Sequence, residues 1–261
     1  MAFAVWIGFE VCKFVLVQIL HGVMKSDVYL TGYLGTLLGA AIAFLIFIIV
    51  FRKYLPSPRR HYGDKTTMWK LFFLCIVIGI SKLFAQRIMN IPLLYMGDWG
   101  QTIYTPEMLE NVLNAGNNPI VLTYVSLIGP VLEELFYRGV LLTMLSKTMK
   151  KSSAILISAL IFGISHLNLM QFWSAFILGL VCGYIFLLSE DIRLAIIIHI
   201  TGNSFLMLLQ IWQDRNWQNM QITVGRTLLE ATVGLGILCG SLWLIRKIFE
   251  KEQKLVGDEL L

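Results

Sequence analysis

A chain of 261 residues with 57% hydrophobic and only 14% charged residues is not an ordinary water-soluble domain, in which about a quarter of the residues are charged. The formal net charge of +5 does not indicate a nucleic-acid binder. The basic residues cluster in short segments between apolar runs and form no stripe with interleaved aromatics.

The first apolar run, 3–23, contains Glu10 and Lys13 and has no basic leading segment, which reads as a membrane helix rather than a cleaved signal peptide. Glu10 and Lys13 are three apart and can pair locally. Runs at 31–51 and 69–90 follow, and Lys82 and Arg87 in the latter are expected to snorkel toward an interface. The fourth run, 120–146, is longer than the roughly 20 residues a bilayer core requires. Pro130 within it lacks a backbone donor and predicts a kink. Runs at 152–168, 171–188, 191–212 and 226–247 complete eight expected helices, the first and second of these four forming a tight hairpin. The expected fold class is all-α, a multi-pass integral membrane protein.

The segment 91–119 is the longest connection, with Asp98-Trp99-Gly100, Pro106 and an Asn-rich stretch; whether it holds a short interfacial helix is left open. Three pairs of glycines four apart, Gly35/Gly39, Gly179/Gly183 and Gly236/Gly240, permit close helix contact. Cys12, Cys75, Cys182 and Cys239 all fall within apolar runs, far apart and without paired ligand spacing, and read as packing residues. Within one membrane domain, 1–119 comprises N-terminal helices and an outer loop, 120–212 a helical core, and 213–261 a last helix and tail.

Basic residues orient the chain. Arg52, Lys53, Arg59, Arg60, Lys65 and Lys70 mark a cytoplasmic loop. No Lys or Arg occurs between Arg87 and Arg138, so that stretch is expected outside. Lys147, Lys150 and Lys151, and later Arg246, Lys247, Lys251 and Lys254, return to the cytoplasmic side. Eight spans with both termini inside meet every one of these constraints.

An ionisable side chain at the bilayer centre costs at least about 2.5–3.5 kcal/mol, so intramembrane charges call for an explanation. The fourth run carries Glu133, Glu134 and Arg138. Glu134 and Arg138 are four apart and can pair along the helix. Glu133 lies about 100° around from Glu134 and requires another partner or a water-filled cavity. Ser158, Phe162 and His166 share one face of the fifth run, and His199 and Asn203 share one face of the seventh. Glu133 and His166 both lie roughly 22–26 Å along their helices from the Lys150-Lys151 boundary, and His199 and Asn203 roughly 12–18 Å from Asp191. Modest tilts would bring all four to one depth.

Glu133-Glu134-x-x-x-Arg138-Gly139, Phe162-x-x-x-His166 and His199-x-x-x-Asn203, in that order on separate helices, resemble the signature of the CAAX prenyl protease type II family, also called the CAAX-protease and bacteriocin-processing family. The stretch Phe176 to Tyr184 also resembles family members, and the likeness covers roughly 120–210. It implies an intramembrane endopeptidase in a cell membrane, its bacterial branch including bacteriocin immunity proteins. Carried onto this chain, Glu133 would activate water with help from His166, and His199 and Asn203 would stabilise the oxyanion. Glu134, Arg138 and Phe162 would support them. The family has been described both as metallopeptidases and as metal-independent glutamate peptidases. Zinc, if used, would take Glu133, His166 and His199; the metal-independent route is preferred, because Asn203 is a natural oxyanion donor and an uncommon zinc ligand. The expected partners are a peptide or membrane-protein substrate and the lipid bilayer. The competing readings are a non-catalytic scaffold or self-immunity protein on the same helical core, and a small transporter. The transporter is disfavoured because the chain has no internal repeat.

Overall fold

The computed structural model describes residues 1–23, 29–55, 65–90, 119–166, 169–216 and 224–258, and among these there is no β-strand. All eight expected runs fold as helices. They are α1 (Ala2–Val23), α2 (Tyr29–Val50), α3 (Lys65–Ala85), α4 (Pro119–Ser146), α5 (Lys151–Ile164), α6 (Leu169–Ser189), α7 (Ile192–Asn216) and α8 (Val224–Asp258). Helices satisfy every backbone donor and acceptor internally, which is what a hydrocarbon environment demands. Six are long and apolar enough to cross a membrane, and α2 and α5 contribute shorter apolar stretches, Leu37–Val50 and Lys151–Ile164. This is an all-α, multi-pass membrane protein. The interfacial helix considered within 91–119 falls almost wholly outside the described residues.

α4 is the central element, packing against α1, α2, α5, α6 and α7, while α3 bridges α7 and α8. α1 and α2 form one hairpin and α5 and α6 another. Two of the three glycine pairs lie at such contacts. A Cβ on Gly39 would come within 2.9 Å of the Val17 backbone, and one on Gly179 within 2.8 Å of Ala159. Gly236 and Gly240 differ, since a Cβ there would meet nothing within 4 Å. The close approach of α8 is made instead at Gly234, against Phe84 and Ala85. α3 and α7 meet at Gly79, where a Cβ would lie 2.6 Å from the Ile198 carbonyl oxygen.

The irregularity expected at Pro130 takes a particular form. Two π-helical turns, Tyr124–Ile128 and Leu135–Leu142, flank the α-helical segment Gly129–Glu134. Each shifts the hydrogen-bonding register and leaves carbonyls for side chains to fill. The Thr143 hydroxyl donates to the Arg138 carbonyl at 3.2 Å, and the Ser158 hydroxyl of α5 donates to that of Tyr137 at 3.3 Å.

Two expectations about isolated residues change. Lys82 does not snorkel: it is 2% exposed, and its ammonium donates to the Ser174 hydroxyl at 3.0 Å, which in turn donates to Gln86 Oε1. Polar partners inside the bundle remove its need to reach an interface. Arg87 pairs with Glu230 of α8. Cys75 and Cys182 are buried as packing residues and Cys12 is half-buried, but Cys239 lies exposed on α8. At the α6–α7 turn Glu190 adopts a left-handed conformation, φ 57°, and Asp191 caps α7 by accepting the Arg193 backbone N–H at 2.9 Å.

Candidate active site

The middle of α4 carries adjacent carboxylates that meet different fates. Glu134 is fully buried, and its Oε1 lies 2.9 Å from Nη1 of Arg138, itself 1% exposed. This is the expected i, i+4 pair. The same Oε1 also accepts a 2.7 Å hydrogen bond from Nδ1 of His199, 65 residues further along the chain. Glu134 is thus not merely a local partner for Arg138. It anchors α7 to α4, a role that helical periodicity could not reveal.

Glu133 points elsewhere. Its side chain keeps 23% of its exposure, and its Oε2 lies 3.7 Å from Nε2 of His199. The imidazole of His199, only 3% exposed, is therefore held between two carboxylates, one at each ring nitrogen. Because an ionised carboxylate only accepts hydrogen bonds, Glu134 requires the proton on Nδ1.

Phe162 forms the hub of the cluster. Its ring centroid is 4.5 Å from the Arg138 guanidinium carbon, 4.8 Å from the Tyr137 ring, 5.0 Å from His166 and 5.9 Å from His199. The cation over its face compensates part of the desolvation of Arg138. That compensation matters, because no guanidinium nitrogen of Arg138 makes a conventional hydrogen bond among the described residues. The Phe162 backbone contributes as well, its carbonyl accepting a 2.8 Å hydrogen bond from Nδ1 of His166. That bond leaves Nε2 of a neutral His166 with a free lone pair.

Asn203 sits one turn from His199 on α7, and its amide donates at 3.0 Å to the Val125 carbonyl in the first π turn. Only the amide nitrogen can donate to a carbonyl, so this contact sets the orientation of the side chain and leaves its second N–H uncommitted by that bond. The structure therefore joins Glu133, Glu134, Arg138 and His199 directly. It links His166 to them through Phe162 and fastens Asn203 to the π turn that precedes Glu133. The bond to Val125 was not foreseen, because only the altered register of a π turn makes that carbonyl available.

Among the described residues, no three His, Cys, Asp or Glu side chains are arranged to hold a metal ion. Nδ1 of His199 is bonded to Glu134 and Nδ1 of His166 to the Phe162 carbonyl, which leaves Nε2 as the ring atom that could meet a metal. Glu133, His166 and His199 as placed do not gather into the zinc set that the sequence suggested.

Comparison with known proteins points to a membrane protease. Residues 115–205 match the family described as Type II CAAX prenyl endopeptidase Rce1-like. The chain is 25% identical over 182 residues to "Putative membrane peptidase YdiL" of Bacillus subtilis (strain 168), covering 70% of this chain and 74% of the relative. It is 28% identical over 118 residues to "Membrane-embedded CAAX protease MroQ" of Staphylococcus aureus (strain USA300), covering 43% of this chain and 47% of the relative. No solved structure matches significantly. The matched segment runs from just before α4 to Phe205 and contains all three helix motifs. On this ground the helical core of the chain is similar to the Rce1-like type II CAAX prenyl endopeptidase family, a likeness that supports a membrane protease.

Proposed function

We propose that this protease hydrolyses peptide bonds at the α4–α5–α7 cluster with Glu133 as general base and without a metal ion. The observation that carries the reading is His199 held between Glu134 at Nδ1 and Glu133 at Nε2. With Nδ1 protonated by the demand of Glu134, an Nε2–H is present only when His199 is an imidazolium. Two carboxylates, Glu133 and Glu134, then balance two cations, Arg138 and His199. A neutral quartet of this kind is tolerable inside a membrane, whereas an unbalanced one is costly.

Glu133, the more exposed of the two carboxylates, takes a proton from water as the water oxygen attacks the scissile carbonyl. The Nε2 lone pair of His166 accepts the second water hydrogen and orients the nucleophile. The carbonyl oxygen becomes an oxyanion, which receives hydrogen bonds from Nε2–H of His199 and from the second amide N–H of Asn203. Fixed donors in a water-poor site stabilise such charge strongly. When the C–N bond breaks, Glu133 returns its proton to the leaving amine. Glu134 and the Val125 carbonyl orient His199 and Asn203 respectively, and Arg138 with Phe162 supports Glu134.

The substrate class this supports is a peptide or membrane protein presented within or beside the bilayer of a bacterial cell membrane, with both termini of the protease cytoplasmic. The test compares membranes containing the wild-type protein with membranes containing Glu133→Gln, which removes the base at nearly constant shape. Mass spectrometry of newly formed peptide termini is expected to show a set present only with the wild type. Identical termini in both membranes, with Glu133→Gln still performing the cellular role, would replace catalysis with the scaffold or immunity reading.

A further inference from the structure

α1 lies outside the segment shared with the family, yet its polar residues converge on the site. Trp6, Glu10 and Lys13 fall at i, i+4 and i+7 and so occupy one helical stripe. The apolar stripe beside them seats Phe9, which is fully buried, with its ring 4.2 Å from that of Phe136 on α4. That contact fixes the rotation of α1 and turns the polar stripe toward the catalytic helices.

Trp6 and Glu10 then each meet a neighbour of a catalytic group. Trp6 Nε1 donates at 3.0 Å to the hydroxyl of Ser165, the residue before His166, and that hydroxyl donates to the Ile161 carbonyl at 2.9 Å. The Tyr137 hydroxyl donates at 3.4 Å to Glu10 Oε1. Tyr137 is four residues after Glu133, on the same side of α4. Lys13 lies 2.6 Å from the other oxygen of Glu10. The two helices that carry Glu133 and His166 are therefore tied to a single face of a third.

We propose that α1 is the template that sets the spacing between Glu133 and His166, with Glu10, acting through Tyr137, and Trp6, acting through Ser165, as positioning residues. This rests on the hydrolytic reading of the site. Glu10 is a suitable anchor because it is balanced by Lys13 within its own helix, so holding Tyr137 places no unpaired charge in the membrane. Trp6 is suitable because indole has one donor and no acceptor, which fixes the direction of its bond to Ser165. Neither group has to touch substrate. Their effect is geometric, and a displacement of about 1 Å at a hydrolytic site can cost about a hundredfold in rate.

The test uses the full-length protein in detergent micelles, with a fluorogenic peptide identified from the cleaved termini as probe. Tyr137→Phe and Trp6→Phe each remove one hydrogen bond and keep a ring. Each is expected to lower kcat about tenfold with KM within about twofold, the rate loss that a small misplacement produces. Glu10→Ala should match Tyr137→Phe, and the double variant should lose no more than either single, since both break the same link. Glu10→Gln, which keeps an acceptor for Tyr137, should restore most of the rate. The inference is overturned if Tyr137→Phe and Trp6→Phe retain wild-type kcat, if the Glu10 and Tyr137 losses multiply, or if Glu10→Gln is as slow as Glu10→Ala. Its failure is distinct from failure of the hydrolytic reading, in which the wild type itself would show no turnover sensitive to Glu133→Gln.

Discussion

Replacing Glu134 with alanine separates the two roles this carboxylate performs. Arg138 is 1% exposed and cannot reach water without disrupting α4, so the variant leaves a buried guanidinium over the Phe162 ring with its carboxylate partner removed. Breaking one side of a buried ion pair costs about 3–5 kcal/mol. A folded domain has about 5–15 kcal/mol in total, so a large part of the stability is expected to disappear. Removing both charges, as in Glu134→Ala with Arg138→Met, eliminates the orphan and should recover most of that loss. Catalysis should not recover with it, because His199 has still lost the 2.7 Å bond that orients Nδ1. The double variant is thus expected to be stable and slow, with kcat down about 10²–10³-fold, the range for loss of one oxyanion donor. Thermal denaturation in micelles and steady-state kinetics on the same preparations measure both halves. A single variant as stable as the double, or a double variant with wild-type kcat, refutes the reasoning.

Other expectations concern separate parts of the molecule. Asn203→Ala should lower kcat by about 10²–10³-fold with little change in KM, measured with the same peptide assay. Gly79→Val drives a side chain into the Ile198 carbonyl, 2.6 Å from where its Cβ would lie, and should cost about 1–3 kcal/mol by overpacking, read as a lower Tm. Gly236→Ala is the control, since a Cβ there meets nothing within 4 Å, and its Tm should not fall. Glu190→Gly relieves a left-handed residue at φ 57° and should raise stability by up to about 1–2 kcal/mol, with activity unchanged.

The helical architecture was legible because lipid enforces a simple rule: apolar runs of sufficient length become helices, and all eight runs did so. The Glu134–Arg138 and Glu10–Lys13 pairs were legible too, since spacings of four and three bring side chains together within one helix. Contacts between helices were not. Nothing in helical spacing indicates that Glu134 meets His199, that Asn203 meets Val125, or that Trp6 meets Ser165. The π turns of α4 were only partly anticipated, as a kink at Pro130, because their register depends on what α5 and α7 supply to the freed carbonyls. Lys82 was misread for a similar reason. Its escape to an interface assumed an apolar surrounding, whereas Ser174 of α6 gave it a partner inside the bundle.

The tie of α1 to α4 and α5 also has a consequence for biogenesis. Trp6 and Ser165 are 159 residues apart, and Glu10 and Tyr137 are 127 apart. During synthesis α1 enters the bilayer long before α4 and α5 leave the ribosome, and it waits there with an acidic and a basic residue facing lipid. The Glu10–Lys13 pair makes that wait tolerable, because the two charges neutralise each other without any other helix present. An isolated Glu10 would burden insertion at the translocon before it could serve the finished enzyme. A pair formed within one helix lowers the cost of both charges in the bilayer whether or not the other helices are yet in place.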